Sequence, residues 1–383
     1  VVNGYGTGTH APGETVHVFS DVVPSQMVLT GWVTTNATLE GESEWHTTFT
    51  MPNHDVTVAA AAISPEPRRV LQQTTYVGVT TRPKQVYYHA PPSPRGLIML
   101  FHGTGGNADF ITKTESVAFW MVAVERGYAV LATEAEEVVA GDLNEDQTIR
   151  WHASDLTVDN VDFQNLNRLL QGLATQAPAL ATIPRFALGM SNGGAFAVTL
   201  GAVSSSPTLA AAFPNLRFKA AVSYCASGIA ALAGVTLTPT SWFMCANDEN
   251  QGVGEDGNAE ARSHHETLLG RSIDSDFAVH PASPLYPERL ARIDGITVET
   301  SRLVVAELAA AGQLDAAGYV VAGVETVMQS ILDNPTAFPV LSSLTGAQKL
   351  LFKSQVAAAR ADHQFYSDYA ARTVAFLDAH LSD

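Results

Sequence analysis

The stretch Phe186-Ala187-Leu188-Gly189-Met190-Ser191-Asn192-Gly193-Gly194-Ala195-Phe196 decides the reading of this chain. Its first residues form an apolar run of strand character, its last are small residues that open a helix, and between them stands G-x-S-x-G. A strand-to-helix turn this tight holds the serine in a strained conformation with its hydroxyl clear of the backbone, and glycines at 189 and 193 remove side chains that would collide there. Upstream, a second apolar run ends in His102-Gly103-Thr104-Gly105-Gly106. Its glycines let the backbone approach a bound carbonyl, so the two turns read as the nucleophile and oxyanion elements of a serine hydrolase.

Outward from that stretch, strands and helices alternate. Apolar runs at 97–101, 128–132, 185–189, 218–224 and 241–246 are separated by helical patterns such as 116–126 and 161–173. That order predicts a mostly parallel sheet with helices on both faces. Alternating stretches at 74–79 and 85–89 are placed as its antiparallel edge, which completes an α/β-hydrolase fold. Residues 249–362 separate Asp248, just past the fifth run, from His363, far more than the roughly 30 to 40 residues of one βα unit. A helical lid insertion is therefore expected over 255–345, with helices at 301–311 and 319–332 lying over the C-terminal strand ends. Thr345-Gly346-Ala347-Gln348 fits a capping box, so 350–360 is expected to start as helix, with the last strand in its second half.

Residues 1–63 carry short alternating runs (Val16, Val18; Met27, Leu29; Val56, Val58) broken by Gly, Pro, Asn and Asp, without helical period. They predict a small all-β domain, and Gly4-Tyr5-Gly6-Thr7-Gly8 within it reads as a turn because no helix follows. Residues 64–68 then act as a linker and 69–383 as the catalytic domain. On this division a chain starting near Pro67 keeps its rate on soluble esters.

The chain has 383 residues, 46% hydrophobic, with 21 basic and 38 acidic side chains and a net charge of −17. That charge argues against nucleic acid or anionic lipid as partner and leaves a neutral ester comfortable. No run approaches 18 apolar residues, and no basic-then-apolar leader opens at Val1, so no membrane span is expected; a removed signal peptide would leave no trace. Cys225 and Cys245 lie near the ends of successive strands and read as two buried free thiols, with a disulfide between them as the alternative. Oligomeric state, acyl preference and salt optimum are not readable.

A serine hydroxyl needs a base, a carboxylate to orient that base, and donors for the oxyanion. In the chain order Ser, acid, His, the nominees are Ser191, Asp248 directly after Trp242-Phe243-Met244-Cys245-Ala246, and His363 just before the final amphipathic helix. Glu249 and Asp256 are rivals for the acid. The backbone N–H groups of Thr104 and Asn192 are the expected oxyanion donors. Trp120, Trp151, Phe163 and Tyr224 are nominated to line the acyl pocket. His102 is read as structural and His380 as solvated at a frayed helix end. His264-His265-Glu266 lacks the His-x-x-x-His spacing, so neither a metal nor any other cofactor is expected.

Two resemblances accompany these readings. "VNGYGTGTHAPGETVHV", "LTGWVT" and "TTFTMPNHDVTVAA" resemble the bacterial surface repeat related to the divergent internalin B-repeat, an Ig-like or β-grasp-like module, and imply export to the cell exterior. "FHGTGGNADF", "GMSNGGAFA", "RWHASDLTVDNVDF", "MCANDEN" and "ADHQFYSDYAARTVAFLDAHL" resemble the polyhydroxybutyrate depolymerase and feruloyl esterase branch of α/β hydrolases. The second resemblance implies a secreted enzyme cutting esters of polyesters or plant-wall phenolics, and it spans 95–381 except for 255–350. Together with the residues it gives the expectation of a secreted serine ester hydrolase acting through Ser191, His363 and Asp248 on polymer or wall-bound ester. A small-ester carboxylesterase or feruloyl esterase, an interfacially activated lipase and a catalytically dead adhesin are the rivals.

Overall fold

In the computed structural model, residues 1–249 and 255–382 are described. The chain begins with five short strands: β1 (Gly4–Tyr5), β2 (Thr15–Ser20), β3 (Val28–Thr35), β4 (His46–Thr50) and β5 (Thr57–Ile63). They form one three-stranded sheet, β1-β2-β4, and one hairpin-like pair, β3-β5. Residues 64–71 carry no helix or strand.

Eight further strands make the main sheet: β6 (Gln72–Val77), β7 (Pro83–His89), β8 (Gly96–Phe101), β9 (Tyr128–Thr133), β10 (Arg185–Met190), β11 (Ala220–Tyr224), β12 (Thr240–Cys245) and β13 (Ser275–His280). Their order is β13-β12-β11-β10-β8-β9-β7-β6, parallel from β13 to β9 and antiparallel at β7 and β6. Every residue of β8, β9, β11 and β12 is buried, as expected of parallel strands covered on both faces. Alternate residues supply the two cores. Ile98, Leu100, Val130 and Leu188 pack with Phe119, Phe365 and Val374 on one face, while Leu97, Met99, Leu131 and Ala187 pack with Phe163, Phe196 and Leu200 on the other.

The helices that matter to the site are α1 (Thr114–Glu125), α2 (Val161–Gln176), α3 (Asn192–Val203), α4 (Glu255–Gly270), α5 (Val298–Ala310), α6 (Val324–Asp333), α7 (Gly346–Arg360) and α8 (Ala370–Ala379). Helix α4 covers the sheet beside β12 and β13, so the excursion from the core fold begins after His280 rather than at 255. It has its own core, built from Leu290, Val304, Leu308, Val327, Phe338 and Phe352. This is the α/β-hydrolase fold with a helical lid insertion and a small N-terminal β region.

The last strand is not where the sequence places it. Residues 346–360 are helical throughout, because both halves of the capping box form: Thr345 Oγ1 accepts from the Gln348 N–H and Gln348 Oε1 accepts from the Thr345 N–H. Ala357, Ala358 and Ala359 then favour continuation, and Ala361, at φ 56°, ends the helix in the left-handed region. The edge strand is β13, whose sequence SDFAVH is half-buried and weakly patterned. His380 is also corrected: it is 4% exposed, packs on Phe376 and pairs with Asp274 at 3.0 Å, because the end of α8 lies under the sheet edge.

Candidate active site

The turn after β10 has the predicted strain. Ser191 sits at φ 57°, ψ −128°, a conformation that costs about 1–3 kcal/mol and persists only where its surroundings enforce it. Its N–H donates to Tyr224 O at 2.8 Å, and its own carbonyl accepts from Ala195. A Cβ on Gly189 would lie 2.0 Å from Gly193 O, and one on Gly193 would lie 2.2 Å from Phe101 O. Both glycines are therefore required by contact with backbone.

The 102–106 turn lies against this elbow, since a Cβ on Gly103 would stand 3.1 Å from Ser191 Cβ. Gly105 and Gly106 turn their N–H groups inward, to Ile149 O and Gly103 O, while Thr104 is exposed. His102 is structural: Nδ1–H donates to Gly103 O at 2.8 Å and Nε2 accepts from the Ala135 N–H at 3.2 Å. Burial pushes its pKa down to about 4, so the ring is neutral and this tautomer is retained.

Asp248 follows β12 directly and is 6% exposed. His363 follows α7 after the left-handed Ala361 and meets Asp248 Oδ2 through Nδ1 at 2.7 Å. The histidine side chain is 18% exposed and the aspartate side chain fully buried, so one end of the pair faces a cleft and the other is held inside. Glu249 instead pairs with Arg360 at 2.5 Å, and Asp256 lies exposed on α4.

The expected Ser-His-Asp serine esterase mechanism is corrected by what surrounds this pair. The side chain that joins Asp248 and His363 is Cys225, with donor atoms of the three all within 4.8 Å of one another. Among the described residues no hydrogen bond joins Ser191 Oγ to His363. The reason lies in the strand ends. Cys225 follows β11 in a left-handed conformation of its own, φ 53°, and its thiol donates to Gln364 O of the 362–366 loop at 3.4 Å. Ser191 follows the neighbouring strand β10, with its Cβ beside Gly103. The Cys225 and Cys245 sulfurs are 3.4 Å apart, unbonded and buried, and burial pushes the Cys245 thiol pKa well up.

The nominated pocket aromatics are core members. Trp120 is 3% exposed, Trp151 1%, Phe163 0% and Tyr224 0%. Trp151 stacks on Phe196, which also stacks on Phe163, and Trp120 packs on His89. Their size and position relative to the motifs did not distinguish core from lining. The cleft beside His363, about 560 Å³, is polar instead, with Glu249, Val324, Lys353, Ser354 and Asp362 around it. The lid insertion supplies one of its walls.

Two contributions escaped sequence reasoning. Asn192 was nominated for its N–H alone, yet its side chain clamps Trp151, accepting from the Trp151 N–H at 2.8 Å and donating to Trp151 O at 3.2 Å. Trp151 Nε1 in turn donates to His102 O at 3.1 Å. His152 lies between Asp162 (3.0 Å) and Glu137 (3.3 Å); the Asp162 hydrogen bond raises its pKa against the effect of burial. The quoted motif containing Trp151, His152 and Asp162 was the available signal. His264 and His265 diverge, one to Ser227 O and the other to Ser275 Oγ.

No protein-family model matches the chain, and no curated protein matches it in sequence. Among solved structures, it is similar to the carboxylesterase Cest-2923 of Lactobacillus plantarum at 14% identity, covering 63% of this chain and 98% of that one, with a TM-score of 0.41. It is similar to a thermostable carboxyl esterase of Bacillus coagulans at 12% identity over 55% and 90%, TM-score 0.40. A dienelactone hydrolase of Anabaena variabilis matches at 16% over 56% and 87%, TM-score 0.39. The fold assignment rests on the strand order given above. No helix among the described residues is long and apolar enough to cross a membrane.

Proposed function

We propose that this chain is a carboxylic ester hydrolase in which Asp248 and His363 form the general-base pair. The 2.7 Å contact between them carries the reading. The buried carboxylate fixes the ring tautomer, leaving the other ring nitrogen to take a proton from an attacking group at the cleft. Ser191, Thr104 and Asn192 belong to the proposed site as residues of the adjoining turns. The quoted resemblance to the depolymerase and feruloyl esterase branch supports an ester as the scissile group, and the resemblance of residues 2–61 to a surface repeat supports export.

Hydrolysis of a p-nitrophenyl ester series tests the reading. His363→Ala is expected to lose about 10²- to 10⁴-fold in kcat/KM, the range of general-base catalysis. Unchanged turnover in His363→Ala, or none in the native protein toward any ester, overturns it and leaves a binding protein on an enzyme scaffold. Ser191→Ala and Cys225→Ala in the same assay identify the group that His363 serves. Cys225 is fully buried, so a thiol could attack an ester only after the 362–366 loop opened.

A further inference from the structure

We propose that Cys225, Asp248 and His363 form a binding site for a thiophilic divalent cation of the zinc type, and that the bound ion shuts off the general-base pair. A thiol sulfur, a carboxylate oxygen and an imidazole nitrogen lie within 4.8 Å of one another, wider than the roughly 3.3–3.8 Å between ligands of one tetrahedral ion, so binding draws the three side chains inward. Sulfur, nitrogen and oxygen donors together select a borderline-soft ion and disfavour magnesium or calcium. Cys245 Sγ lies 3.4 Å from Cys225 Sγ beside the site and stays protonated, so the fourth position is left to water. The route in is from the cleft, because the His363 side chain is 18% exposed and Cys225 is not exposed at all.

Coordination is incompatible with general-base action for a reason independent of which ring nitrogen binds. A neutral imidazole has one lone pair and one N–H. The metal takes the lone pair; if it binds at Nδ1, the ring proton moves to Nε2. In either case no nitrogen is left to accept a proton. Cys225 binds as thiolate, so one proton leaves the protein for each ion bound while Cys245 stays a thiol. No bond to carbon forms and nothing is oxidised. Inhibition of hydrolysis rests on the ester-hydrolase reading, whereas metal binding does not.

The test titrates the native protein, freed of metal by chelator, with Cd²⁺ as spectroscopic probe and Zn²⁺ as competitor. One equivalent of Cd²⁺ is expected to raise the ultraviolet thiolate-to-metal charge-transfer band, release one proton and abolish ester turnover in parallel, with EDTA restoring it. Cys225→Ser is expected to lose the band, and whatever turnover it retains is expected to be insensitive to Cd²⁺. His363→Gln, altered at the cleft rather than in the core, is expected to weaken binding at least about tenfold. Absence of the band in the native protein, or its persistence in Cys225→Ser, overturns the site. A band with the expected ligand dependence in a protein that hydrolyses no ester sustains the site and overturns the functional reading instead.

Discussion

Trp45 Nε1 donates to Asp368 Oδ2 at 3.2 Å, joining the residue before β4 to the loop that leads from His363 into α8. The guanidinium of Arg292 lies 3.7 Å over the Trp45 ring and reaches Glu115, which also accepts from the N–H and hydroxyl of Ser367. Tyr286 of the insertion stacks on Phe19 at 3.9 Å. The N-terminal β region therefore packs directly on the loop that leads on from His363.

Removing that contact is expected to reach the chemistry. Trp45→Phe keeps an aromatic face of smaller size and deletes the donor, leaving a buried carboxylate short of one partner at a cost of about 1–3 kcal/mol. Trp45→Ala is expected to cost about 3–5 kcal/mol. A chain starting at Pro67, expected from sequence to keep its rate on soluble esters, is expected to lose it. Melting temperature and p-nitrophenyl butyrate turnover measured together check this, and full activity of the truncated chain would refute it.

Acid is expected to unfold the protein through two histidines held neutral in the fold, one fully and one partly buried. His102 and His17 are both depressed to about 4 by burial, His17 also by His46. A depressed histidine is neutral when folded and protonated when unfolded between about pH 6.5 and 4, so stability is lost as pH falls through that window. For fully buried His102 the loss is on the order of 3 kcal/mol. Burial alone would raise the Asp368 carboxyl, but His280, His46 and Arg289 hold it well below the usual range. Its contribution is present above the unfolded carboxylate value and lost below it, so it acts in the same direction. Calorimetry between pH 7 and 4 should show the decline, and a shallower slope in His102→Asn.

Glu44 acts oppositely. Burial, with Asp368 nearby, pushes its carboxyl up to about 9, and Oε2 has no hydrogen-bond partner among the described residues. Between about pH 4.5 and 9 the unfolded chain is ionised there and the folded one is not, so stability falls as pH rises through that interval. Glu44→Gln is expected to raise the melting temperature at pH 8 and leave it nearly unchanged at pH 4. An equal shift at both values would remove titration as the cause.

Asn192→Ala is expected to lower ester turnover while His363 keeps its place. The amide holds the Trp151 backbone from both sides, and Trp151 holds His102 O, so its loss loosens the 102–106 turn. The expected loss is about 10-fold or more in kcat, with little change in KM, because the turn is called on as charge develops. A change confined to KM would place Asn192 in substrate binding only.

How far the sequence reached depends on the range of the contacts involved. Local backbone demands were legible: the elbow at Ser191, the capping box at Thr345, and the all-apolar central strands. The pairing of Asp248 with His363 was legible because each adjoins a recognisable element. Cys225 was not, because its thiol meets the His363 loop only through the way β11 ends, and no local pattern encodes that. β13 was missed because a half-buried edge strand has neither a continuous apolar run nor clean alternation. The grip of Trp45 on Asp368 spans most of the chain, and its ionic partners look individually like surface residues.

The glycine contacts at the elbow have a further consequence. With Gly189 against Gly193 and Gly193 against Phe101 and His102, the end of β8, the end of β10 and the start of α3 touch main chain to main chain. Nothing compressible lies between them, so the elbow behaves as an anvil. On the proposed ester-hydrolase reading, adjustment to acyl groups of different size would come from the cleft beside His363, where α6 and α7 present Val324, Lys353 and Ser354 as exchangeable side chains. Substrate range would be redrawn by changes within 281–360, while the reacting groups kept their geometry.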